Sequence, residues 1–187
     1  MIATQLPPSA SATGRTERGN EWGPILLDVV CEAVTYMMRK AAQQVPPLVY
    51  RGVVAAGELA LDGDGAFLVG PAIDEAAELM QLAQGAFVWL APSARAIPTP
   101  HHPPDWWATM GALYPVPLKQ GGAFNTIALS PYIENPNIDT ITADERRQIR
   151  AGYEKAMSDL RIDVQLKRQN TLRFLDYLDQ HQRPHRP

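Results

Sequence analysis

The stretch RGVVAAGELALDGDGAFLVGPAIDEAAELMQLAQGAFVWLAPS, from Arg51 to Ser93, decides the fold of this chain. Its DGDG sequence, residues 62–65, supplies the positive-φ residues that a tight hairpin needs. Gly70 and Pro71 then open a helix, because proline fits the first helical turn. Three short apolar runs are typical of strands buried on both faces: residues 53–55, 67–69 and 86–90. We therefore predict the order strand, hairpin, strand, helix, strand, with a sheet as the core.

The helix in this stretch has one apolar side. Its apolar residues recur at spacings of three and four: Ala72, Ala76, Leu79, Met80 and Ala83. We expect this stripe to pack on the sheet. The acidic residues Asp74, Glu75 and Glu78 then form a solvated side of the same helix.

The series of motifs in this stretch resembles the C-terminal half of class III nucleotidyl cyclase domains. The run RGVVAAGEL is followed by FLVGPAIDEAAEL and then by an apolar strand that ends in a small polar residue. The resemblance is to a bacterial branch related to the pyrimidine cyclases of anti-phage signalling. In that family a G-x-x-[VIL]-N-x-A-x-R helix follows the second strand. Its five defined positions fall here on Gly70, Ile73, Asp74, Ala76 and Glu78.

For the chemistry, the resemblance implies a loss of function. In active members of the family, the Asn orients the ribose and the Arg stabilises negative charge on the phosphates. Asp74 and Glu78 stand at those two positions, and a carboxylate repels a triphosphate instead of neutralising it. We therefore interpret Gly70, Asp74 and Glu78 as vestigial nucleotide-binding positions, and no catalytic residue is assigned.

The resemblance extends beyond this stretch. An Arg-Gly pair begins the central strand in the related bacterial branch, as Arg51-Gly52 does here. Downstream, VPLK at 116–119 and KRQNTLRF at 167–174 match a pattern of the same branch. The similarity thus covers residues 24–181 but corresponds to the rear part of the family's domain.

Metal ligands are missing from the places where the family has them. It carries one metal-binding Asp on an opening strand and another on a hairpin, both upstream of the helix that begins here near Pro24. The only carboxylates upstream of this helix are Glu17 and Glu21, and the sequence around them is not typical of a strand. Two-metal catalysis needs carboxylates that are held on rigid elements. His101 and His102 are adjacent, and neighbouring side chains rarely converge on one ion. We predict no metal site, and Mg²⁺ or Mn²⁺ only if another chain completes an active site.

Length and composition favour one domain. The chain has 187 residues, of which 45% are apolar and 20% charged. Residues 1–23 are rich in Pro, Ser, Thr and Gly and are predicted to form a disordered leader. Residues 24–181 are expected to form the domain, and residues 182–187 a frayed tail.

Charge and hydropathy exclude several classes of protein. The net charge is -3 and no basic cluster occurs in the folded middle, which argues against a nucleic-acid partner. No apolar run approaches the ~18 residues of a membrane span, and no signal peptide pattern opens the chain. We therefore expect a cytoplasmic protein. The single cysteine, Cys31, excludes a disulfide within the chain and is expected to be buried.

A first helix is predicted from Pro24 to Gln44, and Pro46-Pro47 ends it. Its apolar side would consist of Leu26, Val30, Ala33, Met37 and Ala41. Its charged residues fall largely off that side: Asp28, Glu32, Arg39 and Lys40.

The C-terminal part predicts two strands and two helices. Residues 113–119 and 123–129 are extended, and Pro115 and Pro117 confine the first of them to a sheet edge. Thr142 followed by Glu145 forms a capping box at the start of a helix. A second amphipathic helix ends near His181. The predicted buried residues of the two helices are Ile149, Tyr153, Ala156, Met157 and Leu160, then Leu172, Leu175 and Leu178.

The predicted fold is α+β: a partial ferredoxin-like cyclase sheet, with packed helices on one face and a C-terminal helical hairpin. The leading hypothesis is a degenerate, non-catalytic cyclase-like protein with a regulatory or partner-binding role, or with a bound nucleotide. Two alternatives stay open: a subunit that completes an active site across a dimer, and a truncated product of a longer gene. Because strand 48–56 lacks the family's usual neighbours, we expect a homodimer or a complex with a longer relative.

Overall fold

The computed structural model describes residues 22–61, 68–97, 110–132 and 141–181. They form an α+β fold, as predicted. Its elements are α1 Trp22–Ala42, β1 Gly52–Val54, β2 Ala60–Leu61, β3 Leu68–Val69, α2 Pro71–Leu82, β4 Val88–Leu90, α3 Pro92–Arg95, β5 Gly111–Pro117, β6 Ala123–Leu129, α4 Ala143–Ala156 and α5 Ile162–His181. Residues 1–21 of the predicted leader, the DGDG turn and the predicted tail lie outside the described residues, whereas Trp22 and Gly23, which were predicted to belong to the leader, lie in α1.

The main sheet has four strands in the order β1-β4-β6-β5. β1 and β4 are parallel, with Val53 opposite Trp89, and α2 lies in the connection between them. β6 is antiparallel to both β4 and β5. This arrangement is consistent with a partial ferredoxin-like sheet.

β5 and β6 correspond to the two extended segments that the sequence predicts, and they form a hairpin. They pair from Gly111 opposite Leu129 to Pro117 opposite Ala123, and the turn between them contains Gly121 with a φ of 89°. β5 lies at the edge of the sheet, which confirms the inference from its two prolines.

Helices cover both faces of the sheet, not one as predicted. Side chains alternate between the two faces along a strand, and β4 shows the division. Val88 and Leu90 belong to an apolar cluster with α1, whereas Trp89 belongs to a cluster with α4 and α5. The strands are therefore sandwiched between two helical layers.

The run at 67–69 does not join the main sheet as a buried strand. β2 and β3 instead pair with each other as a separate two-stranded ribbon, with Leu61 opposite Leu68. Val69 is exposed. A hairpin is thus present, but its first strand is β2 and not the predicted run at 53–55, which pairs with β4 in the main sheet. The prediction of burial on both faces is wrong for the 67–69 run, since Val69 is exposed.

The predicted buried side of α1 is also wrong, except for Ala41, which is buried. The buried side includes apolar residues one position further along the helix and one charged residue: Leu27, Cys31, Val34, Met38, Ala42 and Arg39. α1 is apolar over most of its circumference, so the apolar pattern alone did not define which side faces the sheet. Cys31 is buried as expected, and burial, with a smaller effect of Asp28, raises the pKa of its thiol to about 12.

The C-terminal helical hairpin is present and antiparallel. Arg146 on α4 pairs with Asp179 on α5, and Arg150, one turn later, pairs with Asp176, one turn earlier. Of the residues predicted to be buried, Ala156 and Leu160 are exposed because α4 ends at Ala156. None of the helices in the described segments combines the length and the apolar character needed to cross a membrane.

Candidate functional site

The predicted site residues lie on α2, close to the carboxyl ends of the parallel strands β1 and β4. Gly70 is the N-cap residue of α2 and has a φ of 146°, a conformation that favours glycine. A Cβ at this position would also overlap the carbonyl oxygen of Glu58. The backbone path into α2 therefore explains Gly70 without any ligand.

Asp74 and Glu78 lie one turn apart on the exposed side of α2, as expected. The sequence of the helix, PAIDEAAELMQL, contains three carboxylates and no basic residue. Asp74 is in the first turn, where the helix dipole stabilises negative charge. This helix therefore presents negative charge to solvent, which opposes the binding of a triphosphate.

Glu75, between these two residues, makes contacts that the sequence did not predict. Its carboxylate accepts a hydrogen bond from the Ser93 hydroxyl and lies 3.4 Å from the Ser93 backbone nitrogen. The Ser93 oxygen in turn accepts a hydrogen bond of 2.9 Å from the Ala56 backbone N–H. This Glu75–Ser93–Ala56 chain connects α2 to the carboxyl ends of β1 and β4.

Chemically, a serine hydroxyl beside a carboxylate resembles half of a nucleophile and base pair. Here both groups are occupied by structural bonds, because Glu75 contacts Ser93 twice and Ser93 accepts from backbone. The arrangement lies at the end of the parallel pair, which is the end where open α/β sheets bind their ligands. The sequence signal that could have found it is the small polar residue that follows β4.

The two downstream motifs of the resemblance meet in the structure. Asn170 Nδ2 donates to the Gln84 carbonyl at 2.8 Å, and Thr171 Oγ1 accepts from the Ala86 N–H at 2.8 Å. The Gln84 N–H donates to the Pro117 carbonyl at 2.8 Å. The NT pair of α5 and the VPLK end of β5 therefore hold the loop between α2 and β4, which is a structural role.

Within the described residues, no group of three or more His, Cys, Asp or Glu side chains is arranged to hold a metal ion. Glu17, Glu21, His101 and His102 all lie outside those residues.

An apolar surface on α1 is the second candidate site. Four exposed residues follow one another at spacings of four, four and three: Ile25, Val29, Ala33 and Tyr36. We call them the outer stripe. The opposite side of α1 is buried against the sheet, so the stripe is presented by an anchored helix. Such a row of exposed apolar side chains is typical of a protein–protein interface.

Comparison of the chain with protein-family models, with curated proteins and with solved structures finds no match. The resemblance to nucleotidyl cyclases therefore depends on the sequence motifs.

Proposed function

We propose that this chain is a degenerate, non-catalytic nucleotidyl cyclase-like protein of the cytoplasm that acts by binding partners, and that its first partner is a second copy of itself. The observation that carries the proposal is the outer stripe of α1.

The outer stripe supports binding because it is a row of apolar side chains that one chain leaves about half exposed to water. Ile25, Val29 and Tyr36 are 50%, 55% and 56% exposed. From Ile25 to Tyr36 the stripe extends over ~16 Å of helix. The charged residues in this part of α1, Asp28 and Glu32, are half-buried at its flank. Partner binding would remove this surface from water, which is favourable in proportion to its area.

A second copy fits the stripe because the same patch can meet itself across a two-fold axis. Two antiparallel α1 helices would place Ile25 of each copy near Tyr36 of the other, with Val29 and Ala33 on either side of the axis. The helix dipoles would then be opposed, which is favourable.

The absence of catalysis is supported by the charges on α2. Asp74 and Glu78 stand where the family has the residues that bind ribose and phosphate, and both are exposed carboxylates. Losing a charge-stabilising group of this kind costs several kcal/mol of barrier. The third carboxylate of α2, Glu75, is engaged by Ser93.

The test of self-association is the molar mass in solution, measured by light scattering over a concentration series. We expect a dimer for the wild type, a monomer that still unfolds cooperatively for Val29→Lys, and a dimer for Val45→Lys. Val45 is 90% exposed and lies outside the stripe, so it is a matched control. A wild-type monomer at all concentrations would overturn the proposed dimer.

Catalysis is tested separately, by incubation with each of the four triphosphates and Mg²⁺ or Mn²⁺ followed by chromatography. We expect no cyclic product above a heat-inactivated control. Metal-dependent formation of a cyclic product would contradict the proposed absence of catalysis. It would not affect the proposal that the chain forms a dimer.

A further inference from the structure

A groove of about 560 Å³ runs along the exposed side of α5, with Arg150 of α4 in its wall. It lies in the helical layer opposite the one formed by α1. A dimer formed through the outer stripe would therefore leave this α5 groove open.

The apolar lining of the α5 groove comes from Ile162, Leu166 and Leu172. Ile162 is 87% exposed and Leu166 is 45% exposed, and they lie one turn apart on the same side of the helix. Leu172 is half-buried against the core. Leu160, just before α5, is also exposed. This is a row of apolar side chains that a monomer leaves in water.

The charges that line the groove are three arginines and one carboxylate: Arg150, Arg168, Arg173 and Asp176. Asp176 is already paired with Arg150 at 2.7 Å, so the excess of positive charge belongs to the other two arginines. No carboxylate among the described residues forms an ion pair with Arg168 or Arg173. The Nε of Arg168 is buried and has no hydrogen-bond partner in the described segments.

This local charge opposes the balance of the whole chain, which is -3. Arginine binds carboxylates through two parallel hydrogen bonds, so Arg168 and Arg173 select an anionic ligand. The apolar row selects a ligand that also has apolar side chains. Ile162, Leu166 and Arg173 follow the spacing of one helical side, so the groove extends over about three turns, or ~16 Å.

We propose that the α5 groove docks an acidic amphipathic helix of a partner protein. Its apolar side chains would pack on Ile162, Leu166 and Leu172, and its carboxylates would pair with Arg168 and Arg173. This is helix-in-groove recognition. The inference gives the proposed partner-binding function a second surface and does not depend on the α1 dimer.

The test uses a helical peptide of about four turns with Leu at i, i+4 and i+7 and Glu on the flanks, labelled for fluorescence anisotropy. We expect saturable binding to the full chain, and no binding of the same peptide with Lys in place of Glu. Arg173→Glu should weaken binding at least ~tenfold, since it replaces an attraction with a repulsion. Arg51→Glu, the same change at an exposed arginine outside the groove, should bind as the wild type does.

The second variant is Arg168→Gln, a conservative change chosen because Arg168 is partly buried. It should lose less affinity for the peptide than Arg173→Glu and should keep the melting temperature of the wild type. In ¹⁵N spectra the amides that shift on titration should be those of Ile162, Leu166 and Arg173. Equal binding of the two peptides, or an unchanged affinity of Arg173→Glu, would overturn the proposal. Displacement of the peptide by an equal concentration of inorganic pyrophosphate would assign the groove to a phosphate ligand and also overturn it. None of these results depends on whether the chain is a dimer.

Discussion

Arg39 of α1 and Glu145 of α4 form an ion pair in which Nη2 lies 2.6 Å from Oε1. The Arg39 side chain is 3% exposed, and the Glu145 side chain is 29% exposed. The other oxygen of Glu145 accepts from the Thr142 N–H at 3.0 Å, which closes the capping box of α4. One carboxylate therefore both begins a helix and compensates a buried charge on another.

We expect Glu145→Gln to lower the free energy of unfolding by about 2 kcal/mol, because it keeps the capping box but replaces the charged carboxylate beside the buried Arg39 with a neutral amide. The figure is below that for a fully buried pair since Glu145 is partly exposed to solvent. Asp144→Asn is the matched control: its pair with Arg147 is exposed, so it should cost less than about 0.5 kcal/mol. Urea denaturation measures both, and equal effects would contradict the prediction.

Glu145 should also make the stability of the protein depend on pH. The Thr142 backbone N–H, the hydrogen bond from Arg39 and the charge of Arg39 lower the pKa of Glu145 below its ordinary value of 4.5. A lowered folded-state pKa stabilises the protein above the unfolded value and loses that effect as the pH falls through the folded value. The stability difference between wild type and Glu145→Gln should therefore be full at pH 6 and shrink below about pH 4.5. A difference that is constant down to pH 2 would disagree.

Thr171 offers a test of the structural role of the NT motif. Its hydroxyl is buried, donates to the Lys167 carbonyl at 2.7 Å and accepts from the Ala86 N–H at 2.8 Å. Thr171→Val keeps the shape but leaves that N–H unsatisfied, so we expect a loss of about 1 to 3 kcal/mol. Thr171→Ser should recover most of it. Thermal unfolding of the two variants would show this, and a neutral Thr171→Val would mean that the loop does not need the bond.

Glu78→Gln should change stability by less than about 0.5 kcal/mol, as an exposed substitution does. It should leave any nucleotide affinity unchanged or slightly raised, because one repulsive charge has gone. Gly70→Ala, at the N-cap of the same helix, should by contrast be destabilising. Because Gly70 has a φ of 146°, we expect this change to lower the free energy of unfolding by about 2 kcal/mol. Calorimetric titration of the wild type and of Glu78→Gln with triphosphates and Mg²⁺ tests the prediction about nucleotide affinity. Binding by the wild type that Glu78→Gln abolishes would make Glu78 a functional residue.

Local signals in the sequence predicted the parts of the fold that depend on near neighbours. The capping box of Thr142 and Glu145 and the edge strand with Pro115 and Pro117 are both present, because each depends on backbone chemistry within a few residues. The sequence did not indicate the ion pair of Arg39, which lies 106 residues from its partner.

The candidate site was predictable only in position. Asp74 and Glu78 lie on the exposed side of α2, as the apolar stripe of that helix requires. The role of Glu75 depends on Ser93, which reaches it only when β1 and β4 pair, so no periodic pattern could reveal it. The outer stripe was not predicted: it shares only Ala33 with the predicted apolar side of α1, because the pattern of apolar residues does not distinguish contact with the sheet from contact with a partner.

Gly152 of α4 packs so tightly on α1 that a Cβ there would overlap the carbonyl oxygen of Ala42. Two backbones in direct contact leave no compressible side chains between them, and packed interiors transmit displacement instead of absorbing it. Any side chain at position 152 would therefore have to push α1 and α4 apart, so this helix–helix junction can be closed only by glycine.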